Sequence, residues 1–178
     1  MQVARDLFYW NGIRATGVDK VAAEAGVAPT TLYRLFSSKD ELVAAYVERE
    51  HLLYREWFTA ASQAGGADPR DRILAVFDAL GEQVQPHVCR GCPFQMTLAE
   101  FPDPSAAAHE HAVDTKSWVR ARLGELTEEL EIGHPAELAD QLALVIEGVY
   151  ASTQALGPDG PSRRARAMAE TLLAAAER

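Results

Sequence analysis

Apolar residues recur along nearly the whole chain at intervals of three and four, the period of a helix buried on one face, and strict strand-like alternation is nowhere seen. Val3, Ala4, Leu7 and Phe8 form a first stripe that stops at Asn11-Gly12, a pair suited to the left-handed residue after a helix. Thr16 can N-cap a second helix, with Asp19 three residues on as a variant capping box and Val18, Val21, Ala22 and Ala25 along one face. Gly26 ends that helix because it tolerates positive φ, and Val27 can fill the angle to the next. Pro29 suits the first position of a third helix, TTLYRLF, whose Leu32, Leu35 and Phe36 read as core. Ser38-Lys39-Asp40-Glu41 is a full S-x-x-E capping box, and it opens a longer fourth helix that runs to Gly65-Gly66.

Asp68-Pro69 opens a fifth helix with Ile73, Leu74, Phe77 and Leu80 at helical spacing, ending near Pro86. A loop with Cys89 and Cys92 precedes a short helix over residues 93–101, and Pro102 and Pro104 then interrupt the chain. Residues 105–132 read as one long helix that stops at Gly133-His134-Pro135. The eighth helix, residues 135–156, is apolar over a wide arc, which implies burial on more than one face. A turn at 157–161 leads to a last helix carrying Ala165, Met168, Ala169, Leu172, Leu173 and Ala176. The pattern predicts an all-α protein of about nine helices, with a small helix-turn-helix unit ahead of a larger helical body.

Charge sharpens that reading. The net charge of −9 argues against a polyanionic partner, yet residues 1–50 hold six Lys/Arg against seven Asp/Glu while the rest hold eleven against nineteen. Residues 25–39 contain no carboxylate, and their only charges are Arg34 and Lys39. A locally positive surface on an acidic body suits a protein that meets DNA at one end. No apolar run reaches the length of a membrane span, and the N-terminus lacks the pattern of an export signal, so a soluble, cytoplasmic protein is expected. Two cysteines do not make a disulfide framework.

Gly12, Thr16, the segment VAAEAGVAPTTLYRLF and then Ser38-Lys39-Asp40-Glu41-Leu42 closely resemble the DNA-binding region of the tetracycline-repressor (TetR) family of bacterial transcription regulators. The resemblance is continuous and rests on several fixed spacings, whereas the later helices are similar to that family's regulatory domain only in number, order and length. It implies a helix-turn-helix DNA-binding domain over residues 1–46 and a helical ligand-binding and dimerisation domain over residues 47–178. It also implies a homodimer through the last two helices, a small-molecule effector in a cavity among the middle helices, and loss of operator binding when that cavity fills. Family members usually carry several residues, often basic, before the first helix. This chain starts about three residues ahead of its first stripe, so the arm is absent or the first helix is truncated, and a truncated chain is expected to bind DNA more weakly.

Thr30 and Thr31 open the third helix, where their hydroxyls can reach phosphate or a base edge. Tyr33 offers a phenolic donor to the sugar-phosphate backbone, and Arg34 can contact phosphate or guanine. Lys39 matches the family's phosphate-binding lysine, and Thr16 can cap its helix and present its amide to double-stranded operator DNA. For the effector, Phe77, Phe94, Met96, Trp118 and Tyr150, with Gln95 as a polar contact, suit a mainly apolar small molecule. The small and aliphatic residues of the last two helices suit a homodimer, and hence a palindromic operator.

Other chemistry is weaker. Cys89-Arg90-Gly91-Cys92, with His87 nearby, is a C-x-x-C loop that can ligate zinc or form a redox disulfide, but no second ligand pair exists for a structural metal. His109 and His111 point to different faces of their helix and read as surface, as does the acidic run Glu125, Glu128, Glu129 and Glu131. No catalytic constellation, cofactor motif or metal set is present, so a repressor released by a ligand is the leading reading. A redox-sensing regulator using Cys89 and Cys92, and a helical small-molecule-binding protein that has lost DNA binding, are the alternatives.

Overall fold

The stripes fold as helices in a computed structural model that describes every residue except Pro86, Val88, Pro158 and Arg178. The described residues form nine α-helices and no strand: α1 (Gln2–Asn11), α2 (Val18–Glu24), α3 (Pro29–Leu35), α4 (Lys39–Ala64), α5 (Pro69–Gln83), α6 (Pro93–Glu100), α7 (Ala107–Glu128), α8 (Pro135–Leu156) and α9 (Ala165–Ala176). A short 3-10 turn, Pro161–Arg164, leads into α9. Most helix boundaries follow the sequence signals, although the expected stop of α5 at Pro86 lies outside the described residues and α7, expected over residues 105–132, ends at Glu128 in a turn where Glu131 takes φ 54.

Packing divides the chain into two units that do not follow a single cut near residue 46. One comprises Met1–Leu53 with Pro93–Thr115, the other Tyr54–Cys92 with Lys116–Arg178, so α4 and α7 contribute to both. In the first unit, Phe8 of α1 meets Tyr46 of α4 edge to face at 5.5 Å. Arg5 reaches the buried Glu50 carboxylate at 2.7 Å, tying the same two helices. In the second, Ile73, Val76 and Leu80 of α5 join Leu142 and Ile146 of α8 and Leu173 of α9 in the core. Gly65 has no substitute where α4 turns into α5, because a Cβ there would come within 2.4 Å of the Asp71 carbonyl.

Three local expectations are corrected. Thr16 is not the cap of α2: the helix starts after Gly17, and Thr16 is wholly buried with its hydroxyl donating to the Gly12 carbonyl at 2.8 Å. Val27 is 39% exposed and does not fill the angle between α2 and α3. Leu35 is 67% exposed because α3 stops there and Phe36 turns into extended backbone, leaving no further turn to cover it.

Candidate nucleic-acid interface

The turn between α2 and α3 is set by backbone geometry. Gly26 adopts φ 66, its amide donates to the Ala23 carbonyl at 3.1 Å, and the Val27 amide donates to Ala22 at 3.0 Å. These are the paired bonds of a Schellman motif, which closes a helix end and reverses the chain direction. Pro29 then occupies the first position of α3, where its missing amide costs no hydrogen bond.

Leu32 is the one buried side chain of α3. At about 100° per residue, Thr30 and Arg34 lie opposite Leu32, with Thr31 and Tyr33 flanking them. All four are exposed, Tyr33 at 51%, so the outward face of the helix carries two hydroxyls, a phenol and a guanidinium. Thr16 does not join this face: its side chain is buried and its amide donates to the Ile13 carbonyl at 3.3 Å.

Beside that face, Lys39 begins α4 and its ammonium donates to the Arg14 carbonyl at 3.2 Å. Ser38 caps α4 by accepting the Glu41 amide at 3.1 Å. The return arm of the box is shifted by one residue, since the Glu41 carboxylate accepts the hydroxyl and the amide of Ser37, each at 2.6 Å. Those two bonds hold the Glu41 carboxyl below its ordinary pKa.

Glu100, the last residue of α6, is a contact that sequence reading missed. Its carboxylate accepts the Ile13 amide at 3.0 Å and the Arg14 amide at 2.6 Å. Arg14 answers by donating Nε to the Glu100 carbonyl at 2.7 Å and laying its guanidinium 5.5 Å from the centroid of Phe101. The loop between α1 and α2 is therefore gripped by the end of α6 on one side and by Lys39 on the other. No motif marks Glu100, because its partners lie 86 and 87 positions earlier.

The residues expected to line an effector cavity fall in both units. Phe77 and Tyr150 are buried in the second, where the Tyr150 hydroxyl donates to Gln83. Trp118 is half-buried there, edge-on to Phe58 at 5.5 Å, with the Arg55 guanidinium 5.1 Å from its ring centroid. Phe94, buried, and Gln95 and Met96, half-buried, belong to α6 in the first unit. Among the described residues no group of three or more His, Cys, Asp or Glu side chains could hold a metal ion. His109 is less exposed than expected, its Nδ1 lying 2.7 Å from the Phe101 carbonyl.

The family described as "Bacterial regulatory proteins, tetR family" matches residues 1–46, the stretch that contains this interface. The HTH-type transcriptional regulator YjdC of Escherichia coli is 30% identical over 137 residues, 69% of this chain and 72% of that protein. The chain belongs to the TetR family. A TetR-family transcriptional regulator from Streptomyces coelicolor superposes with a TM-score of 0.93 at 27% identity, covering 99% of this chain and 93% of that one. The repressor KstR2 of Mycobacterium tuberculosis is 28% identical over 126 residues, 67% of this chain and 60% of its own. As a TetR-family transcriptional regulator, the protein has its helix-turn-helix in α2 and α3. No described helix is long and apolar enough to cross a membrane.

Proposed function

We propose that this TetR-family protein is a repressor that binds a palindromic operator as a homodimer and leaves it when a small, mainly apolar molecule binds the helical body. The observation that carries the DNA half is the outward face of α3, where Thr30, Thr31, Tyr33 and Arg34 are exposed while Leu32 alone anchors the helix. In the major groove, Arg34 and the threonine hydroxyls reach base edges or phosphate, and Tyr33 meets the sugar-phosphate backbone. Lys39 exchanges its Arg14 carbonyl for a phosphate, a stronger, charge-assisted partner.

Support for a dimer comes from α8 and α9. Leu144, Gly148, Ala151 and Ala155 form one exposed stripe of α8, and Met168, Thr171 and Ala175 an exposed stripe of α9. Leu144 at 70% and Met168 at 50% exposure are costly apolar surface in a lone protomer. For release, α6 carries Phe94, Gln95 and Met96 along its length and Glu100 at its end, so a ligand that shifts α6 pulls on the Ile13 and Arg14 amides.

Selection of bound sequences from random duplex DNA tests the reading. An enriched inverted repeat is the expected result. Failure to enrich any sequence overturns the repressor and leaves the helical small-molecule binder.

A further inference from the structure

Neither cysteine is used by the DNA-binding reading, and both are in the reduced, thiol state. Cys92 is only 2% exposed, yet its sulfur does not sit in an apolar setting: the Lys116 ammonium of α7 donates to it at 3.2 Å. The same ammonium donates to Glu147 of α8 at 2.6 Å. The side chains of Lys116 and Glu147 are 25% and 34% exposed, so the polar edge of this cluster reaches water while the sulfur lies just behind it. Tyr54 of α4 and Tyr150 of α8 complete it. Burial first, and electrostatic interaction with Cys92 among the further causes, push both phenols above their ordinary range and keep them as O–H donors.

We propose that Cys92 is a peroxide-sensitive thiol that forms a disulfide with Cys89, giving this regulator a redox input in addition to its ligand. An ammonium in contact with sulfur favours the thiolate, the nucleophilic form, against the opposing effects of burial and of Glu147. Cys89 sits in the same loop, its thiol directed at the Gly91 carbonyl at 3.9 Å. Gly91, at φ 141, lets that loop pass close to α8, where a Cβ would come 3.0 Å from the Gln154 side chain. The Cys92 thiolate attacks a hydroperoxide oxygen: the S–O bond forms, the O–O bond breaks, and the leaving oxygen departs as water or alcohol after taking a proton. Cys92 is oxidised to a sulfenic acid and the peroxide is reduced. The Cys89 sulfur then attacks the sulfenic sulfur, forming S–S and breaking S–O, and the hydroxyl leaves with the Cys89 proton as water. Cys92 directly precedes Pro93, the first residue of α6, so closing the disulfide redraws the entry to the helix whose other end holds Ile13 and Arg14.

The test is the intact mass and thiol count of the full chain after a small excess of hydrogen peroxide, followed by operator binding. Loss of both thiols to one intramolecular disulfide is expected. Cys89→Ser should leave a sulfenic acid on Cys92 that a dimedone probe labels, and Cys92→Ser should leave Cys89 reduced. Lys116→Met should slow oxidation by about tenfold, the effect of roughly one unit in thiol pKa, and Lys116→Arg should restore most of the rate. Both thiols surviving peroxide, or Cys89→Ser leaving Cys92 unlabelled, overturns the proposal. So does a Lys116→Met protein of unchanged circular dichroism that oxidises at the wild-type rate. If Lys116→Met does not fold, the two cysteine variants decide. The link to DNA rests on the repressor reading: reduced protein that binds no DNA sinks that reading, while the thiol chemistry stands or falls on mass alone. Oxidised protein that binds the operator as tightly as reduced protein overturns the regulatory role.

Discussion

Lys39 is the residue on which the DNA reading is most directly testable. Its ammonium is held by one neutral carbonyl, that of Arg14, and is free to prefer phosphate. Lys39→Ala is expected to weaken binding to all sequences and to lower the salt slope of the affinity by roughly one per subunit, measured by fluorescence anisotropy across a salt series. An unchanged slope would remove Lys39 from the phosphate contacts. Two residues away, Glu41 makes a prediction about pH. Its folded pKa lies below the ordinary 4.5, so its stabilisation is fully present above pH 4.5 and is lost as pH falls through the lower folded value. Urea midpoints of wild type and Glu41→Gln should differ at neutral pH and converge in acid. The outward placement of Tyr33 and Arg34 is legible from helix period and the place of Lys39 at the start of α4 from the capping box, while the phosphate role of Lys39 is what the family resemblance implies. The place of Thr16 is not legible, since a threonine ahead of a helix reads as a cap whether or not its hydroxyl turns back to the Gly12 carbonyl.

The recognition helix is the weakest element by its own means. Seven residues cannot hold a helix in water, so α3 depends on the Schellman turn before it and on Leu32 beneath it. Leu32→Ala should cost about 2–4 kcal/mol in urea unfolding and reduce operator affinity beyond what the stability loss explains. Undiminished operator affinity in the variant would show that α3 keeps its place without this anchor. Helix starts and stops were readable because Asp68, Pro29, Gly26 and the prolines act within one turn of their own position. Which helices face one another was not. The grip of Glu100 on Ile13 and Arg14 joins segments far apart in sequence, and a lone Glu at a helix end carries no local signature of it. Leu35 misled for a related reason: its place in the apolar pattern is sound, but the helix ends before anything can cover it.

At the scale of the molecule, the acidic excess lies beyond residue 50, leaving the helix-turn-helix near neutrality, with Arg34 and Lys39 the only charged residues between positions 25 and 39. The exposed stripes of α8 and α9 predict a dimer at micromolar concentration. Leu144→Glu should shift the light-scattering mass to that of a monomer, because the proposed seam would bring two carboxylates together among the small and aliphatic side chains of these stripes. A wild-type monomer under those conditions would contradict the seam. The contact at Glu100 also bears on how such regulators are re-engineered. A chimaera that takes residues 1–46 as a portable reading head leaves behind the acid that fastens that head's first loop. The part-buried Ile13 amide then needs a new acceptor, at about 1–3 kcal/mol if left unpaired, while the exposed Arg14 amide turns to water. The transplantable module is discontinuous, and a graft into a relative should bring along Glu100 or choose a recipient that already has an acid in its place.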